Sequence, residues 1–497
     1  MEVVTSIKPF LAVLVSAVAV VLILASSRNP DLREFWSFGA AAIKFLIVLS
    51  MTPVILEGKV IEYTLFTILP GIEFGFRVDA LGLFFATTAS FLWIITTAYS
   101  IGYMRSLNEH SQTRYFACFA IALSSALGVA FAKNLFTLYI FYEILSIMTY
   151  PLVAHNEDKD AWEGSKKYIV YLVGLSKTAL LAAIVMTYMI TGTLDFKEGG
   201  VFTEGMQPVL VTLTYIFFLI GFAKAGIMPF HNWLPSAMVA PTPVSGLLHA
   251  VAVVKVGVFS VVRVILYTFG LDAMSLFNLG IPTAFFVSFT ILAASIIALT
   301  KDDLKARLAY STVSQLSYVI LGVALLTPDG ILGGIMHIAN HAFSKITLFF
   351  CAGSIYVASH IKKISKLNGI GRKMPFTMAA FTIGAFSMIG VPAVAGFTSK
   401  WFLVIGSLQA GSIALMVVLL ASTLLNAAYF LPIVFRAFFK EPEPDSHVEE
   451  VREAPPFVVV PLTITAIISV IIGIWPDYFL NMAELVIHEG VKLWQAH

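Results

Sequence analysis

The sequence predicts an all-α polytopic membrane protein, and three observations lead to that fold class. Of the 497 residues, 59% are hydrophobic and only 12% are charged, whereas soluble domains carry about 25% charged residues. Apolar stretches of about twenty residues, the length that crosses a bilayer, recur along the whole chain. Lysines and arginines are concentrated in every second connection between these stretches. This composition excludes a soluble enzyme, and the net charge of +2 predicts no nucleic-acid partner.

Fourteen stretches are long enough to cross a membrane. The first is predicted to be a span and not a removed signal peptide, because no small-residue cleavage site follows it. The predicted spans are residues 9–26, 37–56, 80–103, 113–132, 134–154, 165–190, 208–228, 244–269, 278–299, 305–326, 330–358, 375–391, 411–435 and 456–475. The apolar segment after Pro392 is treated as the second half of the twelfth helix.

Two segments outside the spans have patterns of their own. Residues 63–69 and 72–78 alternate apolar and polar side chains around Pro70 and Gly71, which predicts a β-hairpin outside the membrane. The chain after Pro476 is predicted to form at most a short amphipathic helix. The sequence shows no separate soluble domain, so residues 1–497 are predicted to form one membrane domain.

The basic residues predict the orientation in the cell membrane. Connections with an odd number hold most of them, whereas the even-numbered connections hold little beyond Lys59, Arg77, Lys133 and Lys197. Because cytoplasmic loops carry the excess of lysine and arginine, the odd connections are expected to be cytoplasmic and both termini to lie on the outer side. This arrangement requires an even number of spans, which agrees with fourteen.

Two spans are interrupted in a similar way. The seventh contains Lys224 shortly before Gly226 and Pro229, and the twelfth contains Pro392 shortly before Lys400. Proline breaks a helix, and irregular backbone is tolerated at membrane depth only inside protein or beside water. The interruptions lie five spans apart, and an odd offset inverts one half relative to the other. We therefore predict inverted repeats of five helices, spans 4–8 (residues 113–269) and 9–13 (residues 278–438), as in transporters with discontinuous helices.

Ionisable residues inside the spans are the main functional signal. A charge at the centre of a membrane helix costs about 2.5 kcal/mol or more, so it persists only when it is paired, hydrated or functional. One carboxylate accompanies five lysines, so some lysines must be neutral or hydrated and can exchange protons. The residues are Glu143, Lys177, Lys224, His249, Lys255, His337, His341, Lys345 and Lys400.

Each of these residues also has a purely structural interpretation. Glu143 could form an interhelix hydrogen bond, and Lys224 could extend to the membrane surface. His337, His341 and Lys345 recur every four residues and share one helix face at intervals of about 6 Å. This stripe fits a water-lined path, but three separate hydrogen bonds would also explain it. The role of Lys177 stays open.

The sequence offers little support for a metal or cofactor. Cys118 and Cys351 lie in apolar runs and form no CxxC pair. His337 and His341 have no carboxylate companion, which argues against zinc in the spans. There is no nucleotide, flavin, haem or iron–sulfur motif, so we expect no cofactor and no metal, and any redox chemistry would belong to other subunits.

Six segments resemble the antiporter-like subunits shared by Mrp cation/proton antiporters, respiratory complex I and membrane-bound hydrogenases. They extend from about the fourth predicted helix to the thirteenth. The matching segments are residues 134–143 (NLFTLYIFYE), 229–235 (PFHNWLP), 240–249 (APTPVSGLLH), 303–312 (DLKARLAYST), 341–345 (HAFSK) and 396–400 (GFTSK).

The resemblance implies fourteen helices with inverted repeats and a role for each buried group. Glu143 would match the glutamate that pairs with the lysine at Lys224, and Lys255 would be the central relay lysine with His249 beside it. His337, His341 and Lys345 would continue the proton path, and Lys400 would be the distal exchange group. Lys177 matches no family residue. Because nothing after Pro476 could form the long lateral helix of the largest complex I members, we expect an Mrp D-type or hydrogenase-type protein.

The function expected from the sequence is proton translocation within a multi-subunit membrane complex, in contact with lipid and with other membrane subunits. One alternative is a sodium/proton antiporter subunit that moves sodium itself, although carboxylates are scarce in these spans. Another is a redox-driven pump module of a hydrogenase or complex I relative. A membrane-bound transferase would need paired acidic residues for a divalent ion, and the nearest candidates, Asp158/Asp160 and Asp302/Asp303, lie in loops among lysines. A scaffold without transport activity is a further alternative, against which the set of buried lysines argues.

Overall fold

The computed structural model describes residues 2–442 and 447–491, and it describes their side chains except at residues 248, 249, 447, 449 and 489–491. The protein is mostly helical, as predicted. The first helices are α1 (Lys8–Ala25), α2 (Pro30–Leu49), α3 (Thr52–Leu56), α4 (Ala80–Ser106), α5 (Gln112–Ala130) and α6 (Leu135–Val153).

The middle of the chain is more irregular. It comprises α7 (Lys159–Ile169), the π-helical segments Val170–Gly174 and Ser176–Leu180, α8 (Leu181–Thr191), α9 (Pro208–Gly221), a 3₁₀ turn (Ala223–Ala225), α10 (Trp233–Ser236), a second 3₁₀ turn (Ala237–Val239), α11 (Thr242–Gly246), a π segment (Leu247–Val251), α12 (Val253–Arg263), a further π segment (Val264–Phe269) and α13 (Gly270–Leu276). The predicted eighth span is therefore divided among several helical types.

The remaining helices are longer. They are α14 (Gly280–Thr300), α15 (Leu304–Ala324), α16 (Pro328–Ser359), α17 (Ile370–Lys373), α18 (Pro375–Ile389), α19 (Ala395–Gln409), α20 (Ile413–Phe439), α21 (Pro456–Ile474) and α22 (Asp477–Val491), with 3₁₀ turns at Ile364–Lys366 and His447–Glu450. The α22 helix occupies the segment for which the sequence predicts at most a short helix.

Eleven helical segments of the described chain are long and apolar enough to cross a membrane. They correspond to the predicted spans except the seventh, the tenth and the twelfth. α9 and α18, in the seventh and twelfth spans, are apolar but shorter. The tenth is the full-length helix α15, which contains polar side chains such as Arg307 and Gln315.

Side-chain caps explain where several helices begin. Within the described residues, six helices start after an Asn, Asp or Thr whose side-chain oxygen accepts a hydrogen bond from a backbone N–H in the first turn, which stabilises the helix end. The capping residues are Asn29, Asp79, Asn134, Asp158, Asp303 and Thr327. Asp79 also pairs with the buried Arg263, whose Nη2 lies 2.9 Å from Oδ1, and so joins α4 to the end of α12.

The hairpin prediction is confirmed. β2 (Val60–Leu69) and β3 (Ile72–Val78) are antiparallel, and a short strand that the sequence analysis missed, β1 (Val3–Thr5), pairs in parallel with β2. The sheet lies at one end of the helix bundle, which we call the hairpin face.

The odd-numbered connections contact one another at the opposite end, which we call the basic face. Arg105 forms ion pairs with Asp31 and Glu34, at 2.5 Å each, between the connections that follow α1 and α4. Lys305 donates to the carbonyl oxygen of Ala240 at 2.6 Å, and Asp302 accepts from Ser365 at 2.8 Å. The alternation predicted from the basic residues therefore corresponds to two opposite faces of the bundle.

The core lies around α12 and α16. Every residue of α12 is buried, and so are most residues of α16, whereas α1, α2, α20 and α21 expose apolar side chains such as Val21, Leu424 and Val460. A charged side chain on α12 or α16 is therefore surrounded by protein on all sides.

Candidate functional site

The first interrupted helix places Lys224 inside the protein. α9 ends at Gly221, and the 3₁₀ turn that follows holds Lys224 with no exposed surface. Gly226 then adopts φ +68°, a left-handed conformation that costs glycine no strain. Nε1 of Trp233 donates to the carbonyl oxygen of Ala223 at 3.0 Å. Because the indole satisfies this carbonyl, the amine of Lys224 can bind to another helix.

That other helix is α6. Nζ of Lys224 donates to Oγ of Ser146 at 2.5 Å and to the carbonyl oxygen of Tyr142 at 3.0 Å. The same nitrogen lies 3.1 Å from the centroid of the Tyr142 ring, close enough for a cation–π interaction. All three groups stabilise an ammonium without supplying a formal negative charge.

Glu143 lies on the same helix, between these two contact residues in the sequence. Its Oε1 accepts a hydrogen bond from Oγ of Ser176, which lies in the second π segment. Its Oε2 is buried and has no hydrogen-bond partner among the described residues. The direct ion pair with Lys224 that the resemblance implies is not formed in this structure, since Glu143 binds Ser176 and Lys224 binds Ser146. The two groups are held by one helix but are separate.

Lys255 and two histidines form the central part of the site. Nζ of Lys255 lies 2.8 Å from Nδ1 of His341, and both residues are buried. The rings of His341 and His337 are 5.9 Å apart, the separation that their spacing predicts. His337 makes hydrogen bonds of 2.9 Å through each ring nitrogen, to Oγ of Ser399 and to Oε1 of Gln315. The side chain of His249 lies outside the part of the structure that is described.

Lys345 connects this helix to α15 and α20. Its Nζ donates to Oγ of Ser311 at 2.8 Å. Ser311 also accepts from the hydroxyl of Tyr429 at 3.1 Å, and this hydroxyl contacts Oδ1 of Asn426 as well. Nδ2 of Asn426 donates to the carbonyl oxygen of Met388 at 3.2 Å. A series of buried hydrogen bonds thus extends from Lys345 to the end of α18.

Lys400 binds at that same helix end. α18 stops at Ile389, Gly390 adopts φ +92°, and α19 begins at Ala395 and carries Lys400 back over the interruption. Nζ of Lys400 donates to the carbonyl oxygens of Met388 at 2.6 Å and Ile389 at 3.0 Å. The carboxyl end of a helix favours a cation, because the unpaired carbonyls carry partial negative charge.

A second contact joins Lys400 to the histidines. The ring of Tyr318 lies 5.2 Å from Nζ of Lys400 and stacks on the ring of His337 at 5.4 Å. Ser399, next to Lys400 in the sequence, binds His337. The second interruption is therefore in direct contact with the central group.

A gap separates the first interruption from the central group. The described residues provide no direct hydrogen bond between Lys224 and Lys255. The backbones are nevertheless close, because a Cβ on Gly257 would lie 2.2 Å from the nitrogen of Ala225. Water would have to bridge the two amines.

Lys177 does not belong to this set. It is exposed on the outer surface of the helical stretch from Lys159 to Thr191, near its middle. Its neighbour Ser176 is buried against Glu143, so the exposed amine lies on the outer side of the same turn.

Several residues of the site were missed by the sequence analysis. Gln315 and Asn426 are amides in membrane-length helices, and their polarity could have drawn attention to them. Ser311, Tyr318 and Tyr429 are ordinary helix residues, and nothing in the sequence distinguishes them from other serines and tyrosines.

Lys44 was also missed, although it is a lysine inside the second predicted span. It is completely buried on α2, and its Nζ lies 4.9 Å from the centroid of the Trp93 ring. Among the described residues it has no hydrogen-bond partner. It makes none of the contacts that connect the groups described above.

Comparison with known sequences identifies related proteins. Residues 132–426, more than half of the chain, match a family model described as NADH:quinone oxidoreductase/Mrp antiporter, transmembrane. The chain is 30% identical over 421 residues to the NADH-quinone oxidoreductase subunit N of Desulforudis audaxviator, covering 81% of this chain and 82% of that one. It is 29% identical to a probable K⁺/H⁺ antiporter protein of the A/B type from Rhizobium meliloti, covering 92% of this chain and 46% of that one. The chain thus spans about half of the length of the second relative.

A solved structure has the same fold. A chain of the Mrp complex from Dietzia sp. DQ12-45-1b superimposes with a TM-score of 0.88 at 21% identity, covering 98% of this chain and 97% of the other. At this identity the likeness concerns the fold alone.

Proposed function

The chain belongs to the NADH:quinone oxidoreductase/Mrp antiporter transmembrane family, and we propose that it is a proton-translocating, antiporter-like subunit of a multi-subunit membrane complex. The observation that carries the proposal is the set of buried amines and imidazoles between the two helix interruptions, including the hydrogen bonds from Lys345 through Ser311, Tyr429 and Asn426 to the helix end that binds Lys400. Of the predicted site residues, Glu143, Lys224, Lys255, His337, His341, Lys345 and Lys400 are assigned to the path. His249 is included on the resemblance alone.

The first step of the mechanism is exchange at Lys224. A carboxylate close to an amine favours the charged amine, whereas separation favours release of the proton. Glu143 and Lys224 are separate here, and each is bound to a hydroxyl that could be exchanged for the other group. We infer that pairing with Glu143 loads Lys224 with a proton and that separation releases it toward Lys255.

Water carries the proton between side chains. An amide such as Asn426 has no titrating proton at neutral pH, so it positions Tyr429 and the carbonyl of Met388 and does not itself carry a proton. Lys255, the histidines and Lys345 are the groups that can bind a proton in turn. Lys400, at the second interruption, would exchange it at the far end.

The proposed architecture goes beyond the helical character already described. We propose fourteen spans, with inverted repeats at residues 113–269 and 278–438, in one membrane domain. The two interruptions support the repeats, because in each a left-handed glycine, Gly226 or Gly390, accompanies a lysine. The basic face would be cytoplasmic and both termini would lie outside, in the cell membrane, because basic residues favour the cytoplasmic side.

The partners are proposed to be other membrane subunits. A lysine exposed near the middle of a span costs about 2.5–3.5 kcal/mol in lipid, and Lys177 is such a residue. A partner subunit that covers Lys177 with a polar or acidic group would remove this cost. Its position beside Ser176 and Glu143 would also place that partner next to the first exchange site.

The coupled process is open between two parents. The relatives' names include an NADH-quinone oxidoreductase and a K⁺/H⁺ antiporter, so the complex could be driven by redox chemistry or by an ion gradient. Movement of sodium by this chain is disfavoured, because Glu143 is the only carboxylate among the site residues described above and sodium prefers oxygen ligands.

Proton flux in proteoliposomes tests the proposal. The complex would be purified through a tag on this chain and reconstituted, and flux would be measured with a pH-sensitive dye. Because Lys224 and Glu143 are the exchange pair, Lys224→Ala and Glu143→Ala should each reduce the flux to about a tenth or less while the complex still assembles.

Lys44→Met is the matched control, since Lys44 is equally buried but makes no contact with the path. Its flux should equal that of the unmodified protein. Unchanged flux in both Lys224→Ala and Glu143→Ala would refute the proposal. Uptake of radioactive sodium by the chain would instead favour the sodium alternative.

A further inference from the structure

Three potential metal ligands meet on the basic face, outside the proton path. Glu109 and His110 lie in the connection between α4 and α5, and His155 follows α6. One ligand atom from each side chain lies within 4.8 Å of the other two. Forty-five residues separate His110 from His155, so the sequence alone gives no sign of this group, and the prediction of no metal site considered only the spans.

His155 is the most informative member of the group. It is completely buried, yet neither of its ring nitrogens has a hydrogen-bond partner among the described residues. Its Nε2 lies 3.6 Å from Oε2 of Glu109, too far for a hydrogen bond. A buried polar group without a partner is costly, and such groups call for an explanation. A cation between His155 and Glu109 would give both of them a partner.

The other charged groups nearby are already paired. Nη1 of Arg114 donates to Glu157 at 2.6 Å, and Nη2 donates to the carbonyl oxygen of His155 at 3.4 Å. The hydrogen bond from Arg114 lowers the pKa of Glu157, which therefore stays ionised beside the arginine. Neither group is directed at the ring of His155.

The donor set fits a borderline divalent transition ion. Two imidazoles and one carboxylate with a fourth position for water form a common open zinc site. At Zn–N distances of about 2.0–2.1 Å, tetrahedral ligand atoms lie about 3.3 Å apart, so the group would have to contract. His110 can supply this movement, because it is exposed and its Nδ1 is bound only to Oγ of Ser111, at 3.0 Å. Its ring now stacks on that of His155 with centroids 4.7 Å apart, so it must turn to bind.

We propose that Glu109, His110 and His155 form a binding site for a divalent transition cation, with zinc as the best match. The site has a consequence for transport that rests on the proposed function. Glu109 also lines a cavity of about 420 Å³ on the basic face, together with Asp158, Asp160, Lys305, Tyr103 and Thr242. If protons enter through this cavity, a metal bound to Glu109 slows their entry.

Metal binding can be tested without measuring transport. The full complex would be stripped with a chelator and titrated with Co²⁺, whose visible absorption reports tetrahedral coordination, and the Co²⁺ would then be displaced by Zn²⁺. We expect one equivalent to bind, with affinity at least about tenfold weaker in His110→Ala, His155→Gln and Glu109→Gln. His110 is exposed, so His110→Ala keeps the test valid even if a variant at the buried His155 fails to fold.

Two controls match the chemistry of the ligands. His488→Ala removes an exposed histidine on α22, and Asp160→Asn removes a carboxylate of the same cavity that lies outside the group. Both should bind the metal like the unmodified protein. Absence of binding, or equal affinity in the unmodified protein and His110→Ala, would overturn the proposal.

Zinc inhibition of proton flux is measured separately. Inhibition that disappears in His110→Ala would support both the site and the entry route through the cavity. Stoichiometric binding with unchanged flux would uphold the site and refute the entry route, whereas loss of flux without zinc dependence would bear only on the proposed function.

Discussion

At the first interruption Lys224 turns away from the helix that carries it and binds α6, whereas at the second Lys400 turns back and binds the carbonyl oxygens of Met388 and Ile389. The difference follows from what satisfies the broken backbone. Trp233 donates to the carbonyl of Ala223 at the first interruption, so the lysine is not needed there. At the second, Lys400 itself supplies hydrogen bonds to the helix end. Two similar interruptions therefore give one lysine that can exchange partners and one that also stabilises the fold.

This comparison predicts different responses to the same substitution. Removing the amine at Lys224 should affect transport and little else. Removing it at Lys400 should affect transport and also the folded state, because the helix end loses its donor.

The largest effect is expected where a glycine closes each interruption. A Cβ on Gly396 would lie 1.8 Å from the carbonyl oxygen of Ser387, and one on Gly257 would lie 2.2 Å from the nitrogen of Ala225. Gly396→Ala and Gly257→Ala should therefore push the helices apart at a cost of about 1–3 kcal/mol or more, with loss of proton flux. Thermal unfolding in detergent checks this result. Gly39→Ala, where a Cβ meets nothing within 4 Å, should be harmless, and equal melting temperatures for all three variants would contradict the prediction.

The next effect separates the two lysines directly. Lys400→Met leaves the carbonyl of Ile389 without its side-chain donor, which should cost about 1–3 kcal/mol of stability. Lys224→Met should cost less, because Oγ of Ser146 is also bound to the carbonyl oxygen of Tyr142 at 3.1 Å. The free energies of unfolding of the two variants provide the measurement. Lys400→Arg, which keeps donors but cannot release a proton, should restore stability without restoring flux; the opposite order of stabilities would refute the comparison.

A smaller effect is expected at Tyr429, which joins Lys345 to the second interruption. Tyr429→Phe removes the hydroxyl bound to Ser311 and Asn426, and a lost hydrogen bond of about 1 kcal/mol corresponds to an approximately fivefold lower flux. Flux in proteoliposomes checks this value. Tyr188→Phe, at an exposed tyrosine of α8, is the control and should leave the flux unchanged. A flux in Tyr429→Phe equal to that of the control would exclude the hydroxyl from the path.

The smallest effect is expected at Ser176, which binds Glu143 at the first interruption. Ser176→Ala frees one carboxylate oxygen but leaves the exchange pair present, so a change in flux of about twofold to threefold is expected. Thr178→Ala in the same π segment, where the hydroxyl is exposed and donates only to backbone carbonyls, should have no effect. A tenfold loss in Ser176→Ala would mean that the serine, and not Glu143, controls Lys224.

Hydropathy and proline positions predict much of this fold but little of its hydrogen bonding. The apolar runs locate the helices, and Pro and Gly near Lys224 and Lys400 locate the interruptions, because these signals are local in the sequence. The contact of Ser311 with Tyr429 depends on how α15 and α20 are rotated against each other, and no local pattern encodes that rotation. The separation of Glu143 from Lys224 likewise depends on Ser176 and Trp233, which lie on other elements. The meeting of Glu109 with His155 requires the positions of α4 and α6 to be known.

The position of Lys177 has a consequence for how the protein accumulates in cells. An amine held on the outside of the bundle near mid-membrane makes the unassembled chain less stable in lipid than the assembled one. Membrane quality control removes chains that expose such groups, so we expect the amount of this protein to follow the supply of the partner that covers Lys177. Overproduction of the chain alone would then yield little protein, and Lys177→Leu would raise that yield without any change in the path inside.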